Sequence, residues 1–195
     1  MADPIEVLDF WLGEVGPAGW YAGGPELDAV CAERFGDVWH AASEGGLDHW
    51  VEGTVGTLAY LIICDQLARN IHRGSPLAFA TDARALAAAR QAVAQGWDMD
   101  APEPERQFFY MPFDHSEDPA DQDMAVSLLT ERLASHPDMA LHARAHREII
   151  SRFGRFPFRN GALGRQSTAD EAAFLADGGY MTIVNALKSS HASSA

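Results

Sequence analysis

Helix start and stop signals recur along this 195-residue chain, and no alternating apolar and polar pattern with matched turns indicates a strand. Asp3 and Asp118 each precede a proline, an arrangement that opens helices. The stretch that begins near Thr54 is apolar almost all round, which is typical of a central helix. We therefore expect an all-α fold of about eight helices paired as helical hairpins. Residues 1–178 are predicted to form a single domain, and residues 179–195 a partly disordered C-terminal tail.

The same signals predict particular helix boundaries. Gly13 is expected to end the first helix, Thr81 to cap the fourth, and Pro112 to break a short helix. A T-x-x-E capping box, formed by Thr168 and Glu171, is expected to start the eighth helix.

The chain carries a formal net charge of −14, with 28 acidic residues against 14 basic ones. A strongly acidic surface repels nucleic acid and anionic membranes, so neither is expected as a partner. No apolar run is long enough to span a membrane, and MADPIEVLDF has acids where an export signal needs basic residues. Cys31 and Cys64 lie in apolar helical patterns without metal-type or redox-type spacing. These features favour a cytoplasmic protein.

Arginine is concentrated in one part of the chain. Thirteen of the 14 basic residues are arginine, and only Lys188 is lysine. Six arginines lie in a window where Glu148 is the only acid, namely Arg144, Arg147, Arg152, Arg155, Arg159 and Arg165. The planar arginine fork suits carboxylate and phosphate groups, so this window indicates binding of an anionic ligand.

Three polar segments interrupt the apolar helical stretches, and each sets charged residues directly against large apolar ones. They are CDQLARNIHRG at 64–74, FFYMPFDHSED at 108–118 and RFGRFPFRNGALGR at 152–165. Burying a charge is unfavourable unless the charge is paired or bound to a ligand. We therefore predict that the three segments form the walls of one pocket.

Five motifs carry a family resemblance: DFWLG, DQLARNIHRG, AFATD, ERQFFYMPFDHSED and RFGRFPFRNGALGRQST. On these motifs the chain resembles the bacterial domain-of-unknown-function 924 family over about residues 4–178. The resemblance implies an all-helical array similar to tetratricopeptide-type hairpins, and it implies little about activity. This chain has Phe158 where the family typically has histidine in an RFPHRN-like motif, so proton transfer at that position is not expected here.

In the first polar segment, Asp65, Arg69 and Arg73 follow at intervals of four and so share one face of a helix. Two interpretations are open: an Asp–Arg network that ties neighbouring helices together, or arginines that Asp65 orients toward a ligand. Asn70 and Arg73 lie close to the helix end at Gly74, where they could face a cleft. Arg69, Asn70 and Arg73 are therefore candidates for ligand binding.

In the second segment, His115, Ser116 and Glu117 precede a helix N-terminus, whose free N–H groups attract anions. His115 and Glu117 are the candidates for acid–base catalysis, because histidine titrates near neutral pH. The structural alternatives are a backbone hydrogen bond for His115 and an ion pair with an arginine of 147–165 for Glu117. Ser116 and Tyr110 are candidates for ligand contact, with Tyr110 in the pocket wall.

The third segment is expected to be an irregular loop, because Gly154 ends a helix and Pro157 cannot continue one. Its phenylalanines are expected to grip the core, namely Phe153, Phe156 and Phe158. Its polar residues either form an anion clamp or cap helices and pair with acids, namely Arg155, Arg159 and Asn160.

A metal site is the rival interpretation. His142 and His146 are four residues apart on one helix, and His115 with Glu117 could complete a set of ligands. The spacing alone is a weak signal, and the neighbouring arginines would repel a cation. No metal is therefore predicted.

Two classes of function are open. The first is a small cytoplasmic protein with a pocket for a carboxylate- or phosphate-bearing ligand, with catalysis undecided. The second is a helical-repeat module that binds an acidic peptide or protein partner. The sequence has no nucleophile elbow, which argues against a serine hydrolase. It also has no Gly-rich phosphate loop or dinucleotide fingerprint, and no cofactor is expected.

Overall fold

Helices account for all the regular structure in residues 3–192, the residues that the computed structural model describes. No strand occurs in that range, which confirms the prediction of an all-α chain. No helix in the same range is long and apolar enough to cross a membrane. The chain divides into two compact units, Met1–Pro112 and Phe113–Ala195. The tetratricopeptide-like arrangement of the hairpins stays a prediction.

The first unit is built from α-helices joined by π-helical and 3-10 segments. Its α-helices are α1 (Pro4–Leu8), α2 (Gly16–Gly19), α3 (Pro25–Ser43), α4 (Thr54–Leu61), α5 (Ala68–Ile71) and α6 (Asp82–Gln95). The π-helical segments are Asp9–Val15 and Ile62–Leu67. The 3-10 segments are Asp48–Trp50, Pro76–Phe79, Trp97–Asp100 and Glu105–Phe109.

The stretch predicted to be central is buried along its length. Every residue from Thr57 to Ala68 is buried, across α4, the second π-helical segment and the start of α5. α1 and α6 pack against α4, while α3 packs against the π-helical segment and α5. Gly56 permits the tight entry into α4, because a Cβ atom there would overlap the carbonyl oxygen of Trp50.

Two predicted boundaries in this unit are wrong. Gly13 does not end the first helix, because the chain stays π-helical to Val15 and turns only at Gly16, where φ is 63°. Thr81 precedes α6 but makes no capping hydrogen bond with its side chain. Its hydroxyl instead donates to the carbonyl oxygen of Cys64 at 2.6 Å. The hydroxyl that could have capped the helix is therefore engaged in a hydrogen bond inside the core.

The second unit contains three long helices and two shorter ones. The helices are α7 (Met111–Asp114), which begins two residues before the unit boundary, α8 (Pro119–Arg132), α9 (Pro137–Phe153), α10 (Ala169–Ala176) and α11 (Tyr180–Ala192). A 3-10 segment covers Pro157–Arg159. The short helix predicted before Pro112 is the 3-10 segment Glu105–Phe109. Pro112 itself does not end a helix, since it occupies the second position of α7, where a missing N–H is tolerated.

The hairpin of α8 and α9 organises the second unit. α8 starts at the predicted N-cap, where Asp118 accepts a hydrogen bond from the amide of Ala120 at 2.8 Å. α9 ends at the predicted Gly154, whose φ is 67°. α8 and α9 pack against each other, and α11 packs against α9. α10 begins with the predicted capping box of Thr168 and Glu171.

The C-terminal tail is the main correction to the predicted architecture. Residues 180–192, predicted to be partly disordered, form α11, and residues 193–195 lie outside the described residues. Ile183 and Val184 on α11 belong to a core cluster with Ile149, Ile150 and Phe156. The apolar side chains of α11 pack on this core, and the polar KSSHASSA sequence at the end of the chain gave no indication of it.

Candidate functional site

Arg69 is held by two carboxylates of its own unit. Its Nη1 lies 3.2 Å from Asp65 and 3.0 Å from Asp82, and its Nη2 donates to Asp82 at 3.2 Å. Asp65 is only 2% exposed, so the pair is an inner tie between the π-helical segment and α6 rather than a ligand contact. The structural interpretation therefore fits Arg69.

Arg73 and Asn70 are also engaged. Arg73 makes a bidentate contact with Asp28, with its Nε at 2.6 Å and its Nη2 at 2.8 Å. The same Nη2 donates to the side-chain oxygen of Asn70 at 2.9 Å. These bonds tie the end of α5 to α3 and leave Asn70 buried.

Tyr110 does not line a pocket wall. Its side chain is fully buried in the first unit, and its hydroxyl donates to Asp98 at 2.7 Å. Asp98 is itself buried, so the pair is a core hydrogen bond that gives each buried side chain a partner.

In the second unit, Glu117 ties the second polar segment to the third. It accepts two hydrogen bonds from Arg165, at 2.8 and 3.0 Å, and a third from the amide of Phe156 at 2.8 Å. Burial alone would raise the pKa of Glu117, but the bonds from Arg165 and Phe156 lower it below its usual value. A carboxylate held in this way is an anchor for the loop, not the acid–base group that the sequence suggested.

A second clamp fixes the other end of the same loop. Arg155 donates to both oxygens of Glu171, at 2.6 and 2.8 Å, and to the carbonyl oxygen of Gln166 at 2.9 Å. Asn160 donates to Ser167 at 3.0 Å and to Glu171 at 3.3 Å. Arg155 and Asn160 are thus parts of the network that starts α10.

Ser116 serves the start of α8. Its hydroxyl donates to Asp121 at 2.7 Å and accepts from the amide of Asp118 at 3.2 Å. The hydroxyl is therefore part of a helix-capping arrangement, and its contact with a ligand stays a prediction.

The large side chains of the third segment differ in how far they are exposed to solvent. Arg159 is 7% exposed, and its guanidinium carbon lies 4.7 Å from the centre of the Phe156 ring, a cation–π arrangement. Phe156 is fully buried, whereas Phe158, predicted to grip the core, is 47% exposed. The prediction of a core anchor holds for Phe156 and is wrong for Phe158.

The most suggestive arrangement of polar groups in the second unit joins α7 to α9. The Oδ2 atom of Asp114 lies 2.7 Å from the Nδ1 atom of His146. Asp114 is 6% exposed, and 16% of the His146 side chain remains accessible. Around His146 stand the rings of His115, Phe156 and Tyr180, with centroids at 6.2, 5.2 and 5.0 Å.

This geometry determines which nitrogen of the His146 imidazole carries the hydrogen. A carboxylate accepts hydrogen bonds, so the Nδ1 atom of neutral His146 carries the hydrogen and the Nε2 atom carries the lone pair. Within the described residues, Nε2 makes no hydrogen bond. An imidazole oriented by a carboxylate at one nitrogen and open at the other is equipped to accept a proton.

The histidines do not gather into a metal site. His142 hydrogen-bonds through its Nδ1 atom to the hydroxyl of Tyr180, and burial lowers the pKa of His142. His146 uses its Nδ1 atom on Asp114, and Glu117 is bound to Arg165. Among the described residues, no group of three or more His, Cys, Asp or Glu is placed to hold a metal ion.

Sequence reasoning named His115 and His146 but missed the partnership of His146 with Asp114. The signal was present, since Asp114 directly precedes His115 in a segment where charge meets large apolar residues. What could not be seen was that Asp114 turns toward α9, 32 residues further along the chain. The predicted candidates fall in both units, and the single pocket formed by all three segments stays a prediction.

Comparison with known proteins agrees with this all-helical architecture. The model of a family described as bacterial proteins of unknown function, DUF924, matches residues 7–179. The chain belongs to this family. A solved structure of a protein of unknown function from Agrobacterium tumefaciens is similar to it, with 38% sequence identity and a TM-score of 0.82. The match covers 88% of this chain and 96% of the Agrobacterium chain. No curated protein matches the chain.

Proposed function

We propose that this protein is a cytoplasmic enzyme that uses His146 as a general base, oriented by Asp114, on a small ligand with a carboxylate or phosphate group. The observation that carries the proposal is the 2.7 Å contact between Asp114 and the Nδ1 atom of His146. It supports a defined tautomer with an open Nε2 atom, which is the arrangement that proton abstraction requires.

The chemistry would run through the open nitrogen. Nε2 would take a proton from water as the water oxygen forms its bond to the carbon or phosphorus atom of the ligand. The imidazolium so formed would be stabilised by Asp114. The bond from the attacked carbon or phosphorus atom to the ester oxygen would then break, and the imidazolium would give its proton to that departing oxygen. His115, whose ring lies 6.2 Å from that of His146, would contact the ligand beside the base.

The anionic group of the ligand is inferred from charge. The guanidinium of Arg159 lies over the ring of Phe156, and the ring of His146 packs against the same phenylalanine. The positive charge of Arg159 and the base are therefore both next to Phe156. Arg69, Arg73 and Arg155 bond to acids of the protein. That pairing supports a small ligand at His146 more than an acidic peptide spread over many arginines.

Turnover tests the proposal. We expect the wild-type protein to hydrolyse a member of a panel of small carboxylate and phosphate esters with chromogenic leaving groups. His146→Gln should lower kcat by about 10²–10⁴-fold, the usual contribution of a general base. Asp114→Asn should lower kcat as well, because the imidazole loses the carboxylate that orients it.

The matched control is His40→Gln, which removes a histidine whose side chain is 67% exposed. This variant should keep the wild-type rate. The proposal would be contradicted by His146→Gln retaining the wild-type rate, or by wild-type protein that hydrolyses none of the esters.

A further inference from the structure

A concave site lies in the first unit, away from every residue that the sequence nominated. It is an open pocket with a volume of about 300 Å³. Its lining contains both polar and apolar side chains, and consists of Asp48, Val51, Tyr60, Arg84, Ala87, Ala88 and Gln91. This volume is at the lower end of the range of ligand pockets, about 300–1,000 Å³, so any occupant is small.

The polar side chains of the lining include one charge of each sign. The Nη1 atom of Arg84 approaches both oxygens of Asp48, at 3.1 and 3.4 Å. The hydroxyl of Tyr60 donates to Asp48 at 3.1 Å, and a hydrogen bond with Tyr60 raises the pKa of Arg84, with Asp48 adding to the effect. Both contacts to Asp48 use one nitrogen of the guanidinium, so the fork is not used in its bidentate form.

The backbone beside this pair is shaped to make room for it. Gly45 has a φ of 86°, and a Cβ atom there would lie 3.2 Å from Asp48 and 3.3 Å from Arg84. Any larger residue would press on the ion pair. Glycine at position 45 therefore leaves room for Asp48, on its 3-10 segment, and Arg84, on α6, to come together.

We propose that this pocket binds a small zwitterion of the amino-acid class. The carboxylate of the ligand contacts Arg84, its ammonium group contacts Asp48, and its apolar side chain lies against Val51, Ala87 and Ala88. The polar and apolar side chains of the lining match the two halves of such a molecule.

Charge balance selects a zwitterion over a simple ion. The side chains of Arg84 and Asp48 are 38% and 60% exposed, and exposed ion pairs are weak, so a ligand can separate them. A lone anion on Arg84 would meet the negative charge of Asp48, and a lone cation on Asp48 would meet Arg84. A ligand that carries both charges gives each residue a new partner and leaves neither charge uncompensated.

The test compares L-valine with two analogues that each lack one charge, 3-methylbutanoate and 2-methylpropylamine. Each compound is titrated into the ¹⁵N-labelled full-length protein, and Kd is read from NMR shifts. L-Valine should shift the Arg84 side-chain signal and the backbone amides of the lining residues. It should bind at least about tenfold more tightly than either analogue, since each loses a charge-assisted hydrogen bond. Equal binding by one analogue, or no binding by L-valine, would overturn the proposal.

Variants locate the binding. Arg84→Gln and Asp48→Asn should each weaken L-valine binding at least about tenfold. Arg90→Gln removes an exposed arginine of the same helix that does not line the pocket, and should leave Kd unchanged. Wild-type affinity in Arg84→Gln would overturn the proposal. If a variant does not fold, the comparison of the three compounds on the wild-type protein still decides the question.

Discussion

At the scale of single residues, three of the six clustered arginines have acidic partners close by, namely Arg147, Arg155 and Arg165. Arg165 is an example. Both of its terminal nitrogens donate hydrogen bonds to Glu117, and one of them also donates to the carbonyl oxygen of Phe156 at 3.1 Å. The side chains of Arg165 and Glu117 are only 22% and 30% exposed. Loss of one partner would leave the other charge partly buried, which is unfavourable.

Arg165→Gln should therefore destabilise the protein. The expected loss in the free energy of unfolding is about 1–3 kcal/mol, because a hydrogen-bonded and partly buried carboxylate loses its charged partner. That loss corresponds to a fall in Tm of about 2–12 °C for a chain of this length. Thermal unfolding followed by circular dichroism measures it.

Arg147→Gln is the matched control. Arg147 contacts Asp123 at 3.3 Å, with side chains 49% and 71% exposed, so its removal should change stability by less than about 0.5 kcal/mol. An Arg165→Gln variant as stable as this control would show that Glu117 does not depend on Arg165.

Some of these ion pairs could be predicted from the sequence. The pairing of Glu117 with an arginine of 147–165 was one of two interpretations, and the structure identifies the partner as Arg165. The interval of four residues likewise indicated the contact between Asp65 and Arg69. The pair of Asp114 with His146 could not be predicted, because no local spacing connects α7 with α9.

At the scale of elements, the start of α10 concentrates several interactions on one carboxylate. Hydrogen bonds from Arg155 and from the amide of Thr168 lower the pKa of Glu171 to about 2, from its usual 4.5. The unfolded chain therefore takes up this proton before the folded chain does. Its stabilising contribution is present above pH 4.5 and is lost as the pH falls toward 2.

Glu171→Gln should flatten this acid dependence. In the wild-type protein the urea midpoint should fall as the pH is lowered from 4.5 toward 2, and in the variant it should fall less steeply. Urea unfolding at a series of pH values measures both slopes. Glu148→Gln, an exposed site on α9, should keep the wild-type slope. Identical slopes in wild type and Glu171→Gln would contradict the assignment.

Element boundaries were predictable where a local signal acts alone. Asp118, Gly154 and the pair of Thr168 with Glu171 start or end helices as expected, because capping depends on neighbours within a few residues. Thr81 failed as a cap since its hydroxyl bonds to Cys64, a residue 17 positions earlier in the chain. Tertiary contacts of this kind override a local preference without leaving a sequence signature.

At the scale of the whole molecule, the all-helical class was predictable because helix punctuation is local and recurs along the chain. The motifs that indicated the family were also sufficient, and the family match covers residues 7–179. The pocket in the first unit was not predictable. Its two charged residues, Asp48 and Arg84, are 36 positions apart, and each looks like an ordinary surface charge in the sequence.

The claim that His146 is a base oriented by Asp114 is tested most directly by the tautomer of its ring. Side-chain ¹⁵N NMR at alkaline pH, where histidines are neutral, distinguishes a protonated Nδ1 atom from a protonated Nε2 atom. We expect His146 to carry its hydrogen on Nδ1, because the Asp114 carboxylate accepts it, and we expect Asp114→Ala to remove this preference. The exposed His40 provides the reference signal in the same spectrum. A His146 ring protonated on Nε2 would have no lone pair at its open nitrogen, and that result would contradict the proposed role.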